Sequence, residues 1–216
     1  MRVPPLPADQ WDDRTRAALR PLLPRERRNP DGAGPAMSAL VRHPDLAEAF
    51  LNFGVYLLFR SSLPPRVREL AVLRVAHLSG CAYEWKSHVD IAPQAGVTAE
   101  DIAGVQRGRL ADAFEQAVLD AVSELREHSE LSDAVWAALG ERLDEQQRMD
   151  LIFTVGGYNL MAMAFNTFGV QPKEGLHEGQ PKEGLHEGQP KEGLHEARPK
   201  DGRHDATPHI DREQVV

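Results

Sequence analysis

The sequence predicts an all-α fold, a helical bundle over residues 1–170 followed by a disordered tail with nonapeptide repeats over 171–216. Three observations carry that expectation. Apolar residues recur at helical spacing through the first 170 positions, no alternating stretch of strand length interrupts them, and the aromatic residues stop before residue 171. All three Trp, all three Tyr and all seven Phe of the 216-residue chain lie in that first part. A folding unit of this size buries a single core comfortably.

The elements follow in order. Asp9 is placed to cap a first helix running to about Leu23, and a Pro/Gly-rich loop extends to Pro35. A second helical stretch covers roughly 36–42. His43-Pro44-Asp45 then interrupts, and Leu46, Ala49, Phe50, Phe53 and Leu57 continue at helical spacing. Leu63-Pro64-Pro65 opens the next helix, where a proline's missing N–H does no harm. That helix reaches Gly80, and another starts near Cys81. Thr98 to Asp101 reads as a capping box for a short helix. Phe114, Ala117, Val118, Ala121, Val122 and Leu125 mark a longer one. Ser132 caps a helix carrying Val135, Leu139 and Leu143, and the last helix runs from about Glu145 to Phe168.

The tail repeats in units of nine: QPKEGLHEG at 171–179 and 180–188, QPKEGLHEA at 189–197, RPKDGRHDA at 198–206. Proline and glycine at fixed places deny it a regular helix, and one Leu per unit builds no core. Its five histidines, nine residues apart in the repeats, would make at best a weak, unselective metal site, so no metal is expected.

The net charge of −8 divides into −3 on the tail and −5 on the first 170 residues. Neither part offers the basic field that nucleic acid requires, so nucleic acid is not an expected partner. A single cysteine excludes an intramolecular disulfide and suits a reducing compartment. The first residues, MRVPPLPADQWDDR, lack the apolar core of a signal peptide, and no uninterrupted apolar run approaches membrane-spanning length. The expectation is a soluble, cytoplasmic protein with no membrane partner.

The chemistry concentrates in RVRELAVLRVAHLSG at 66–80 and CAYEWKSH at 81–88. The first segment is apolar almost all round, while Arg66, Glu69, Arg74 and His77 gather within roughly 140° of helical arc. So apolar a helix must be buried on most sides, by its own bundle or by a partner subunit. In the second segment Cys81, Glu84 and His88 share one helix face, with Trp85 beside them. A thiol, a carboxylate and an imidazole in mutual reach are the group types of proton transfer. A helix N-terminus favours a thiolate at Cys81, and the Glu84 charge opposes it. Each residue also has a plain structural reading: a packed cysteine, a satisfied histidine, a core tryptophan, a surface Glu–His pair.

RELAVLRVAHLSGCAYEWKSHVDIAPQAGVTAEDI closely resembles the carboxymuconolactone decarboxylase-like superfamily, which also contains the alkylhydroperoxidase D-type proteins. The resemblance spans roughly Phe50 to Gly104 and extends loosely to the last helix. It implies an all-helical fold of the alkylhydroperoxidase D-like type that assembles as trimers or hexamers. In the peroxidase branch a helix glutamate precedes CxxC by twelve residues, and a histidine follows four residues after the second cysteine. Glu69, Cys81 and His88 match that motif, and Glu84 stands where the second cysteine would be. A disulfide-based peroxidase cycle therefore cannot close within one chain.

The Glu84-Trp85-Lys86-Ser87-His88 pattern looks more like the decarboxylase side, whose chemistry needs neither metal nor organic cofactor. The expected function is a cofactor-free enzyme acting by proton transfer on a small carboxylated or lactone-type metabolite. Glu69, Cys81, Glu84 and His88 are its candidate catalytic residues, and Trp85, Arg66 and Arg74 its candidate substrate contacts. The alternatives are a thiol peroxidase or peroxiredoxin-type protein using Cys81, and a non-catalytic oligomeric binding protein. The near-complete apolar girth of the 66–80 helix, together with the resemblance, leads us to expect a subunit contact there. Deleting 171–216 is expected to leave the helical content and the assembly of the first 170 residues intact; loss of assembly on gel filtration would show that the tail has been misread.

Overall fold

The computed structural model describes residues 1–172, and among them there are helices and no strand. The nonapeptide repeats, their histidines and the expected disorder lie outside the described residues. Helix α1 (Asp13–Ala18) starts from Asp12, whose side chain accepts from the Thr15 amide at 2.7 Å. The expected cap, Asp9, lies instead in a separate 3-10 turn, Ala8–Gln10. A capping carboxylate must stand immediately before the first helical residue to reach its free amides, and Asp12 does.

Helix α2 (Pro30–Leu40) begins six residues earlier than the pattern suggested. Asn29 caps it by accepting from Gly32 at 2.9 Å, and Pro30 occupies the first turn. Pro35 bars its predecessor from the helical region, and Gly34 answers with φ 70°, kinking the helix without ending it. Helix α3 (Pro44–Val55) runs on into a π-helical stretch, Tyr56–Arg60. Then follow α4 (Pro65–Leu78), α5 (Ala82–Ile91), α6 (Ala99–Arg107), α7 (Ala113–His128), α8 (Asp133–Leu139) and α9 (Glu145–Phe168). The capping box of Thr98 and Asp101 forms as read, and Asp144 with Gln147 builds a second one at the head of α9.

Helix α4 is the axis of the bundle. It packs against α5, α6, α7 and α9. Val67, Leu70, Ala71, Val72, Leu73, Val75 and Ala76 are all buried within this one chain. Each large side chain among them contributes on the order of 1.5–3 kcal/mol when fully buried. The girth of α4 therefore needs no subunit to cover it, contrary to the argument for a contact at this helix. A second apolar cluster joins the N-terminal segment to the bundle, with Trp11, Leu19, Leu40 and Leu51 packed alongside Cys81, Ala162 and Phe165.

Helix α9 is long and apolar enough, by length and composition, to cross a membrane. One of its faces is nevertheless committed to the core through Leu151, Val155, Tyr158, Ala162 and Phe165. Two contacts tie α9 to the π-helical stretch. Asp150 accepts from the Tyr56 hydroxyl at 2.7 Å, from the Ser62 amide at 2.7 Å and from the Ser62 hydroxyl at 2.8 Å. Burial alone would raise its pKa, but these bonds outweigh burial and lower it. At Gly157 an added Cβ would meet Leu57 Cδ1 at 2.6 Å and a Phe53 ring carbon at 3.2 Å. Glycine there lets the two helical segments touch. Gly157→Ala is expected to destabilise the fold by about 1–3 kcal/mol through overpacking, read as a lower denaturation midpoint at unchanged m-value.

Candidate functional site

Glu69 sits in the middle of α4 and is 2% exposed. A carboxylate so placed must find a buried partner or lose its charge. Helix α5 supplies one: His88 Nδ1 lies 2.7 Å from Glu69 Oε2, with both side chains buried. The contact joins residues nineteen apart in sequence, across the α4–α5 turn. With Nδ1–H donating to the carboxylate, Nε2 becomes the ring atom free to take or deliver a proton. The Tyr158 ring on α9 stands edge-on to the imidazole, centroids 5.1 Å apart, and fixes its plane.

Arg68 donates from Nε to the other oxygen of Glu69 at 3.3 Å. Sequence reasoning missed this residue because adjacent helix positions do not ordinarily face one another. Only its partly buried, long side chain bending back to its neighbour brings it in.

Glu84 lies four residues before His88 and is also 2% exposed. Neither of its oxygens has a hydrogen-bond partner of normal geometry. Burial pushes its pKa up to about 8, with the neighbouring Cys81 thiol pulling weakly the other way. At neutral pH Glu84 is therefore mostly a neutral acid holding a proton. Both carboxylates act on Tyr158: burial first, then the charges of Glu69 and Glu84, raise its phenol pKa.

Cys81 caps α5 and is 1% exposed. Burial pushes its thiol up to about 11, overriding the amides of Tyr83 and Glu84 that favour the thiolate. The helix N-terminus thus does not produce a thiolate here: desolvation is the larger effect.

The polar wedge expected on α4 divides. Arg66 grips Glu115 at 2.6 and 2.8 Å and Asp101 at 2.9 Å, and also donates to the Gly96 carbonyl. These partners hold it firmly protonated, and Arg66 in turn, with Thr98, lowers Asp101 to about 2. Arg74 donates to the Val105 carbonyl at 2.8 Å, and burial lowers its pKa. Both arginines are thus spent on α6, α7 and the turns around them, and neither is brought to the Glu69–His88 pair as a substrate contact. Trp85 packs on the main core and tilts against His77, centroids 5.7 Å apart. His77 faces Trp85 rather than the acids. Behind Tyr158, an apolar cavity of about 70 Å³ is lined by Phe50, Phe53, Leu57, Leu58 and Met161 among others. Among the described residues no group of three His, Cys, Asp or Glu side chains could hold a metal ion.

Residues 44–127 match the sequence model of the carboxymuconolactone decarboxylase family. This segment belongs to that family. It contains Glu69, Cys81, Glu84 and His88, while Tyr158 lies beyond it on α9. The chain also shares its fold with solved structures. One is an alkylhydroperoxidase AhpD core, an uncharacterised peroxidase-related protein from Ralstonia eutropha JMP134, at TM-score 0.62 and 19% identity, covering 81% of this chain and 94% of that one. Another is an uncharacterised peroxidase-related protein from Silicibacter sp. TM1040, at TM-score 0.58 and 18% identity, covering 65% and 77% respectively. A third is a protein of unknown function from Agrobacterium tumefaciens, a candidate antioxidant defence protein AhpD, at TM-score 0.55 and 21% identity, covering 61% and 93%. No curated protein matches the sequence.

The raised pKa of Glu84 makes stability depend on pH. In the unfolded chain this glutamate ionises near its ordinary value of 4.5, whereas in the folded chain it stays protonated to about 8. Between these values the folded state binds the extra proton, so stability falls as pH rises, by at most about 1.4 kcal/mol per pH unit, and levels off above 8. Glu84→Gln, neutral and of the same shape, is expected to lack this loss. Denaturant titrations should find it more stable than the wild type at pH 8, with the gap closing toward pH 4.5.

Proposed function

We propose that the chain is a cofactor-free enzyme that transfers a proton on a small carboxylated or lactone-type metabolite. The observation that carries this reading is the buried Glu69–His88 contact at 2.7 Å. Glu69 orients the imidazole through Nδ1 and stabilises it when protonated. Nε2 then acts as the general acid or base. Glu84, protonated near neutral pH, stands one helical turn away as a second proton source.

In a decarboxylation the carbon–carboxylate bond breaks, carbon dioxide leaves, and the electron pair remains as a dienolate. Its carbon takes the proton from His88. Arg68, already bonded to Glu69, is the cation placed to attract a substrate carboxylate or lactone oxygen, a role first considered for Arg66 and Arg74. A thiol peroxidase reading draws on the peroxidase-related names of proteins with this fold, but it requires a reactive thiolate. The burial of Cys81 and its thiol pKa of about 11 argue against one.

A screen of lactones, muconates and hydroperoxides with the full chain tests both readings. Once a turned-over compound is found, His88→Ala and Glu69→Gln are expected to lower kcat by about 100-fold or more, with Cys81→Ser close to wild type. After peroxide treatment a dimedone-type probe should leave Cys81 unlabelled. Labelling of Cys81, together with a hydroperoxide activity abolished by Cys81→Ser, would replace proton transfer with thiol chemistry.

A further inference from the structure

Helix α9 carries apolar side chains on its outer face as well as its inner one. Met149, Phe153, Leu160 and Met163 are each half or more exposed. With Gly156 they follow one another at steps of four, three, four and three residues, the spacing of a coiled-coil seam. No Asp, Glu, Lys or Arg occurs from Leu151 to Val170, so no charge interrupts that face along its length. On the adjoining π-helical stretch Tyr56, which bonds Asp150, and Phe59 are exposed too. A continuous apolar face of this kind is unusual on a soluble monomer.

Gly156 lies at the centre of the seam. A Cβ added there would meet nothing within 4 Å, in contrast to its neighbour Gly157. Glycine inside a helix weakens it, and nothing among the described residues explains why position 156 should lack a side chain. Close approach of a second backbone would explain it.

The order of the residues points to what that backbone is. Met149 and Met163 lie seven positions either side of Gly156, and Phe153 and Leu160 lie three before and four after it. The seam thus reads nearly the same in both directions. A twofold axis requires such self-complementarity: in an antiparallel pair Met149 meets Met163 of the other copy, Phe153 meets Leu160, and the two glycines cross. The area suffices. Six half-exposed side chains at ~200 Å² each offer about 600 Å² per copy, or about 1,200 Å² per pair, the lower edge of stable protein interfaces.

We infer that the outer face of α9 is a twofold self-association surface, on which a second copy of this chain packs antiparallel with Gly156 at the crossing. A twofold contact yields even-numbered assemblies. The inference does not depend on the Glu69–His88 pair being catalytic.

Sedimentation equilibrium of the full 216-residue chain at micromolar concentration is expected to give an even multiple of 24.0 kDa; one or three copies would overturn the inference. Phe153→Glu combined with Leu160→Glu should weaken self-association at least 100-fold with the helical circular dichroism unchanged. Gly156→Leu, which fills space that is open within one chain, should lower the assembled mass while keeping or raising the thermal midpoint. An unchanged mass in the folded leucine variant removes the seam as the contact. A monomer that floats with phosphatidylcholine–phosphatidylglycerol vesicles would assign the face to a membrane surface instead, and a chain that gains copies only on deletion of 171–216 would assign it to the tail.

Discussion

A carboxylate placed at the centre of an apolar helix is the constraint on which the site depends. Helix α4 is enclosed by α5, α6, α7 and α9, so Glu69 has no route to water along it. The charge persists only if a donor is buried with it, and His88 is that donor. The turn between α4 and α5 is therefore under a chemical requirement as well as a packing one. It must return the chain so that the second turn of α5 faces the middle of α4. Tyr158, reaching in from α9, closes the third side and ties the last helix to the same point.

Two titratable side chains around this point are tuned by burial in the same sense. Glu84 has no normal hydrogen-bond partner and yields to desolvation by keeping its proton. Cys81 yields likewise and remains a thiol, although it caps a helix. Glu69, by contrast, has a partner on each of its oxygens, Arg68 and His88. The cysteine is withdrawn into an apolar cluster with Trp11, Ala162 and Phe165.

The cations follow the same logic of partners. Arg66 sits on the helix that carries Glu69, yet Asp101 and Glu115 claim it, and the result is a clamp between α4, α6 and α7. Arg74 likewise serves the Val105 carbonyl at the end of α6. A wheel diagram groups residues by angle, but it does not say which neighbouring element approaches at that angle. Helices α5, α6 and α7 each engage a polar residue of α4 that faces them.

The sequence by itself determined the helical class, the caps at Thr98 and Ser132, and the shared helix face of Cys81, Glu84 and His88. Apolar periodicity and capping residues are local signals, and Thr98, Ser132 and the start of α9 near Glu145 were legible from them. Cys81, Glu84 and His88 share a face because their spacing is helical, and Glu69 entered through the likeness of the whole segment to a family. Where the local reading slipped, at the heads of α1 and α2, a neighbouring Asp or Asn offered a better-placed cap and a glycine permitted a kink. Only the tertiary structure decided that α4 is covered by its own chain, that Arg68 rather than Arg66 or Arg74 touches Glu69, and that Tyr158 belongs beside His88. It alone also decided that Glu84 and Cys81 keep their protons. The physical reason is common to all of these. Burial and pairing depend on which elements meet across large sequence separations, and a charge or a proton is settled by the surroundings that such meetings create.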